Sequence, residues 1–252
     1  MKTARYCLFI CLPLFTGCAT MYIPSPKNIP LFEEKGEVQV ETGVTANSIF
    51  ATGNYAFSEK YAVIANGSLS FGNFSEIYDL ADLHQGGGET NYLMFGGVFA
   101  HHSVEAGVGK YKIPLSGWNL ELFGGGGYGN AKGGDHKNEY WLGFIQGNIG
   151  KRFKAIELGW SLRVAFSEFY FTYPSRIYQS KDYFDVKFNN FHLEPLFCLR
   201  TGYGLLHGFV RGGLSITSPL KPLWEIDSTE GVKNGILEYT IFHLSIGVSF
   251  RL

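Results

Sequence analysis

The feature that most constrains the fold is a period-two alternation of apolar and polar residues, repeated in segment after segment from Gly36 onward. In the last segment, ILEYTIFHLSIGVSFRL, every second position from Phe242 to Leu252 is apolar. The intervening positions from His243 to Arg251 are polar or glycine. Because successive side chains of a strand point to opposite faces, this pattern predicts strands with one apolar and one polar face.

The length of these segments favours a barrel that crosses a membrane. They run for about 10 to 17 residues, whereas strands of soluble sheets most often have about 5 to 6 residues. A strand that crosses a bilayer needs about 9 to 11 residues, with its apolar face toward lipid and its polar face toward the lumen. A soluble, lipid-tethered β-barrel that turns its apolar face inward and binds a small apolar ligand is the alternative that the alternation leaves open.

The connections predict an even number of strands. Tight links, at Glu59, 114–116, Lys154 and 204–205, alternate with longer ones, as expected when short periplasmic turns alternate with longer outer loops. We therefore expect an all-β fold, an antiparallel up-and-down transmembrane β-barrel of about ten strands. The segment 92–112 is long enough for two strands but is taken as one. The predicted strands are 37–46, 48–58, 60–73, 92–112, 117–131, 139–153, 155–171, 188–204, 205–218 and 236–252.

The N-terminus has the layout of a bacterial export signal. Lys2 and Arg5 precede the apolar run YCLFICLPLF, which is too short to span a bilayer as a helix. Thr16 and Gly17 before Cys18 resemble the site at which lipoprotein signal peptidase cuts, so we expect a signal peptide over 1–17 and an acyl anchor with diacylglycerol on Cys18. The proline-rich stretch 18–35 is then expected to be a lipidated tether, and 36–252 the barrel domain.

Cysteine count and charge restrict the mature chain further. Cys7 and Cys11 leave with the signal and Cys18 carries the lipid, so Cys198 remains without an intramolecular partner. Removing Lys2 and Arg5 leaves 19 of the 21 basic residues against 22 acidic ones. This balance gives no indication of nucleic acid as a partner.

Several stretches together resemble uncharacterised outer-membrane β-barrel lipoproteins of the Bacteroidetes type. They are the lipidation site, the tether PSPKNIPLFEEKGEVQV, the hairpin NYAFSEKYAVIANGSLS and the later FIQGNIG. The resemblance implies a Gram-negative outer membrane, with the lipid anchor on the periplasmic side. It brings no known reaction, ligand or catalytic residue.

The inward positions predict a polar network that fills the lumen rather than a reaction centre. Acids and bases are nearly balanced there, and the interior of a barrel of about ten strands is narrow, so these groups are expected to pair with one another. No cofactor, metal site or catalytic residue is predicted, and a narrow solute channel remains as an alternative. The expected network consists of Glu121, Glu157, Arg163, His192, Glu194, Arg200, Arg211 and His243.

Two further readings concern the outer end of the barrel. Barrel proteases of the omptin type place Asp and His at the outer rim, so the residues Asp79, Asp82, His84 and Asp135-His136 keep a rim-active hydrolase as an alternative. The segment FTYPSRIYQSKDYFDVKF is rich in tyrosine and charge, which makes an extracellular ligand at the outer loops a hypothesis. Within and before it, Phe169, Tyr170, Phe171 and Tyr173 are expected to form part of an interfacial aromatic girdle.

Overall fold

The computed structural model describes residues 25–45, 48–70, 100–115, 117–133, 136–174, 183–219 and 239–252. These residues form ten antiparallel strands that close into one barrel. Each strand pairs with its neighbours in sequence, and β1 closes the sheet against β10. The strands are β1 Val38–Thr45, β2 Ser48–Tyr55, β3 Tyr61–Ser70, β4 Ala100–Leu115, β5 Trp118–Gly133, β6 His136–Arg152, β7 Ile156–Pro174, β8 Tyr183–Tyr203, β9 Leu206–Pro219 and β10 Tyr239–Arg251.

This topology confirms the predicted ten-strand up-and-down barrel. Short turns follow β2, β4, β6 and β8 at one end, which also holds the start of β1 and the end of β10. We call it the tight-turn end and the opposite one the loop end. Gly117 and Gly204 lie in two of these turns with φ of 81° and 65°, in the left-handed region where glycine has no Cβ to clash.

The fourth strand is continuous in its described part, although the segment 92–112 is long enough for two strands. His101, His102 and Ser103 all pair with β5, inside β4. The irregularity lies instead between Lys110 and Ile113, where the register shifts. The part of the segment from 92 to 99 lies outside the described residues.

The outer surface of the barrel is apolar. Aliphatic side chains in the middle of the strands are largely exposed, including Val104 at 61%, Ile145 at 63% and Leu162 at 51%. Aromatic rings flank them on both sides. Trp118, Trp160 and Phe197 lie in contact nearer the tight-turn end, with adjacent ring centroids 5.5 and 5.4 Å apart. Tyr128 and Trp141 lie in contact nearer the loop end, 4.9 Å apart.

One residue expected in the girdle lies on the other face. Phe169 is fully buried in the lumen and contacts Tyr140 at 5.1 Å, because the period-two alternation carries it inward. Tyr170, its neighbour, is 42% exposed on the outside. The side chains of Phe171 and Tyr173 lie outside the described residues.

Candidate functional site in the barrel lumen

The lumen is the candidate site, because most of the chain's buried charge lies there. Along β1, β7, β8, β9 and β10 its wall carries paired acids and bases, whereas β3 to β7 contribute an apolar cluster. All eight side chains expected in the lumen network lie on the inward face. The apolar cluster, which the polar-face prediction did not include, consists of Phe32, Ala56, Ala62, Ile64, Tyr111, Phe123, Tyr140, Leu142, Phe144, Ala165 and Phe169.

Arg200 and Arg211 are joined through a carboxylate of β1. Arg200 Nε donates to Glu41 Oε1 at 2.9 Å, and Arg211 Nη2 donates to Glu41 Oε2. Arg200 Nη1 donates to Glu157 at 3.2 Å, and Arg251 donates to the same carboxylate. This connected set of ion pairs occupies the half of the lumen nearer the tight-turn end. Glu41, Arg200 and Arg211 are fully buried, so each of these charges depends on its partners, since an unpaired charge in such a site is costly.

A second set of contacts lies around Arg163. Its Nη1 donates to Glu105 at 2.7 Å, and its Nε and Nη2 donate to Gln146 Oε1 at 3.0 and 2.8 Å. The guanidinium also lies over the ring of Phe144, 4.2 Å from the centroid. These contacts connect β4, β6 and β7 across the lumen.

Two of the predicted histidines have different surroundings. His192 Nε2 lies 2.6 Å from Ser167 Oγ, and its Nδ1 lies 2.8 Å from Thr217 Oγ1. A Ser-His pair is the arrangement that nucleophilic catalysis uses. Ser167 and His192 are both fully buried, and the hydrogen bonds of this arrangement link β7, β8 and β9. His243 lies 3.5 Å from the amine of Lys27.

The largest difference from the sequence analysis concerns the segment expected to be a tether over 18–35. Residues 25–32 are all buried inside the barrel, and we call them the plug segment. Phe32 lies against Tyr111 near the tight-turn end, with ring centroids 5.3 Å apart. Lys27 reaches Glu194, near the middle of β8, at 3.3 Å. The segment therefore extends from the tight-turn end deep into the lumen, whereas residues 33–36 are exposed. Residues 18–24 lie outside the described residues.

The barrel wall holds the plug segment largely through its main chain. Gln146 Nε2 donates to the carbonyl of Asn28 at 2.6 Å, Arg200 Nη2 to that of Ile29 at 2.6 Å and Arg251 Nη2 to that of Pro30 at 3.1 Å. On the other side, the amide of Phe32 donates to Glu121 Oε1 at 2.8 Å. Glu121 thus binds the plug segment and also accepts from Asn148 at 3.0 Å.

Wall glycines make room for the apolar side chains of the plug segment. A Cβ at Gly159 would lie 2.9 Å from Ile29 Cγ2, and a Cβ at Gly150 would lie 2.5 Å from both methyl carbons of Leu31. At Gly150 of β6 and Gly159 of β7, the plug segment therefore fills the space that a wall side chain would occupy.

Lys27 completes the charge balance of the lumen, and the sequence analysis did not select it. Among the described residues, six carboxylates lie at or inside the lumen. The wall arginines on their side of the sheet are Arg152, Arg163, Arg200, Arg211 and Arg251. The five wall arginines leave one carboxylate over, and Lys27 is the sixth cation. The only local signal is one lysine within the otherwise uncharged SPKNIPLF. The carboxylates are Glu37, Glu41, Glu105, Glu121, Glu157 and Glu194.

Other candidate chemistry falls elsewhere. Asp79, Asp82, His84 and Asp135 lie outside the described residues, and so does the side chain of His136. Within the part of the chain that is described, His, Cys, Asp and Glu side chains form no group of three that could hold a metal. The same part contains no helix long and apolar enough to cross a membrane.

Comparisons with known proteins give only distant structural likenesses. No protein-family model matches the chain, and neither does any curated protein. The outer membrane protease OmpT from Escherichia coli aligns over 86% of this chain and 93% of its own, with 9% identity and a TM-score of 0.48. The KdgM porin in complex with disordered oligogalacturonate aligns over 85% and 98%, with 8% identity and a TM-score of 0.33. Likeness at this level carries nothing about chemistry, so the strand pairing and the lumen contacts define the fold and the candidate site.

Proposed function

We propose that this protein is a lipid-anchored outer-membrane β-barrel with a structural or surface-interaction role and no catalytic chemistry. The observation that supports this most strongly is the apolar outer surface, with exposed aliphatic side chains between two groups of aromatic rings. Soluble monomers rarely expose apolar patches of more than a few hundred Å², whereas a membrane barrel requires a continuous apolar band.

The inner surface supports the same proposal. A soluble barrel that binds a small apolar ligand needs an apolar interior, but here buried arginines, carboxylates and the plug segment occupy the lumen. A permanently open solute channel is equally at odds with eight buried plug residues. We therefore assign the structural role to the membrane-embedded barrel and the surface-interaction role to its outer loops, where we propose that an extracellular ligand binds.

The acyl anchor on Cys18 is the second part of the proposal. Both described ends of the barrel, Val38 and Arg251, lie at the tight-turn end, which we propose faces the periplasm. Six residues lie between Cys18 and the buried Ser25, so the seven steps from Cys18 to Ser25 allow at most about 25 Å of extended chain. The acyl chain must therefore enter a leaflet within that distance of Ser25.

The test separates the anchor from the barrel. The variant Cys18→Ala, exported with an ordinary secretory signal, is isolated in membranes and washed with alkaline carbonate. We expect it to stay in the membrane and to migrate faster on a denaturing gel before boiling than after, because folded membrane barrels resist the detergent. The unaltered protein serves as the control and is expected to incorporate labelled palmitate, which the variant does not.

The opposite result is equally clear. Release of the variant as a soluble folded protein would mean that the lipid was its attachment to the membrane, and the transmembrane part of the proposal would be wrong. If both proteins stay in the membrane and the unaltered protein incorporates no labelled palmitate, the acyl-anchor part of the proposal would be wrong.

A further inference from the structure

We infer that the lumen is a peptide-binding site, which takes an extended, proline-containing peptide with one lysine and which the plug segment occupies reversibly. This inference goes beyond the proposed function. It concerns the lumen contacts alone and does not require that Cys18 carries a lipid.

The contacts have the form of ligand recognition rather than of a folded core. Three successive carbonyls of the plug segment, at Asn28, Ile29 and Pro30, accept hydrogen bonds from wall side chains. No strand of the barrel pairs with these residues, which lie outside the sheet. Main-chain contacts of this kind fix an extended peptide in place, and pockets for its side chains then select its sequence.

Two kinds of pocket select the sequence here. The carboxylate of Glu194, fully buried, receives the amine of Lys27, and Asn54 accepts from the side chain of Asn28. The missing side chain at Gly159 leaves space for Ile29. A ligand of this lumen therefore needs a cation, followed at short spacing by an aliphatic residue.

The conformation of the plug segment also depends on the lumen. Leu31 has a φ of 54°, in the left-handed region that a residue with a branched apolar side chain seldom adopts. Backbone strain of this kind persists where the surroundings impose it. The segment is thus shaped by its binding site, as a bound peptide is.

Release of the plug segment would expose two apolar contacts, that of Phe32 with Tyr111 and that of Ile29 and Leu31 with Leu196 and Cys198, together with a larger set of polar wall groups. The wall groups that bond to its main chain are arginine, glutamate and glutamine side chains, which water can solvate once the peptide leaves. The exposed residues 33–36 connect the segment to β1 at the tight-turn end, so the chain can be cut there without cutting a strand.

The experiment uses that exposed connection. A protease site is inserted between Glu34 and Lys35 in a Cys18→Ala chain carrying a fluorophore before Ser25, and the protein is folded intact in detergent before it is cut. The plug segment is then a noncovalent ligand in a barrel that folded with it in place. We expect the labelled fragment to dissociate on dilution, and the synthetic peptide SPKNIPLFEE to rebind in a saturable manner, both followed by fluorescence anisotropy.

Two variants test the pockets, each with a matched control. Gly159→Val places new atoms against Ile29, and the three atoms nearest to its Cβ all belong to Ile29 and Leu31 of the plug segment. We expect it to weaken fragment binding at least tenfold, while Gly147→Val, where a Cβ meets nothing within 4 Å, leaves binding unchanged. Lys27→Gln removes the buried ion pair with Glu194, which keeps its hydrogen bond from Ser215, and we expect a loss on the order of 100-fold. Glu34→Gln, at an exposed position of the same fragment, is its control.

Several outcomes would overturn the inference. The first is a labelled fragment that stays bound through prolonged dilution, both in the unaltered barrel and in the Gly159→Val variant. The second is a synthetic peptide that does not rebind to washed barrels, although these barrels still migrate as folded on the gel. The third is equal binding of the Lys27→Gln fragment and the unaltered fragment. Failure of the transmembrane proposal would be recognised separately, by release from carbonate-washed membranes, and would leave these binding measurements in detergent intact.

Discussion

At the scale of single residues, the ion pair of Arg163 and Glu105 offers a sharp prediction. Both side chains are buried and lie 2.7 Å apart. Glu105→Gln leaves the guanidinium without that carboxylate, so we expect a loss of about 3 kcal/mol in the free energy of unfolding, from urea titrations of the barrel in lipid vesicles. Glu168→Gln is the control, because its partner Lys187 is 57% exposed and an exposed pair contributes at most about 1 kcal/mol. Equal losses in the two variants would contradict a buried ion-pair network.

The direction of each lumen side chain could be predicted from the sequence, but its partner could not. Alternation fixes whether Arg163 or Glu194 points inward, because the side-chain period of a strand is two. Which carboxylate meets which cation depends on the register and on strands far apart in the chain. Lys27 is the clearest case. The sequence around a lysine between two prolines is the same whether water or a polar lumen surrounds the segment, so the sequence predicts a tether.

At the scale of elements, the fifth strand depends on the absence of a side chain at Gly125, on its inner face. A Cβ at Gly125 would lie 2.1 Å from the carbonyl oxygen of Ala106 and 2.7 Å from the ring of Phe144. We therefore expect Gly125→Ala to cost about 1 to 3 kcal/mol, the usual effect of overpacking, as a lower urea midpoint. Gly124→Ala, whose Cβ would meet only the oxygen of Phe144 at 3.8 Å, is the control on the same strand. The prediction is wrong if the two midpoints fall together.

The existence and order of the strands could be predicted because each of their two faces requires a particular kind of side chain. Lipid and lumen demand different side chains, so the alternation persists along the whole strand and ends where the requirement ends. The predicted bounds differ from the strands at both ends of the barrel. At the tight-turn end, β2 ends at Tyr55 rather than at 58 and β4 ends at Leu115 rather than at 112. At the loop end, β8 begins at Tyr183 rather than at 188 because it continues to pair with β7 as far as Pro174. Pairing beyond the apolar band leaves no mark on the alternation, so its extent could not be predicted.

At the scale of the whole molecule, the polarity of the two surfaces is the reverse of that in a soluble barrel. Exposed aliphatic side chains such as Val104 and Leu162 face outward, while the fully buried positions include three arginines. The lumen contains an apolar cluster, but among the described residues the buried polar and charged side chains outnumber the buried apolar ones. In the proposed membrane setting, lipid covers the exposed aliphatic side chains of the outer face, so we expect the stability of the barrel to depend on the membrane.

That dependence yields the last prediction, for which Ile145 is the best position. It is 63% exposed and pairs with Val164 in the middle of the apolar band, between Trp141 toward the loop end and Trp160 toward the other. Ile145→Arg should cost about 2 to 4 kcal/mol in vesicles, as a charge facing the bilayer midplane does. Phe153→Arg, at the turn after β6 and 50% exposed, lies near the interface and should cost about 1 kcal/mol or less. In water the order would reverse, because replacing an exposed isoleucine with arginine improves solvation. Vesicle unfolding in which Ile145→Arg is as stable as Phe153→Arg would therefore mean that this face does not meet lipid.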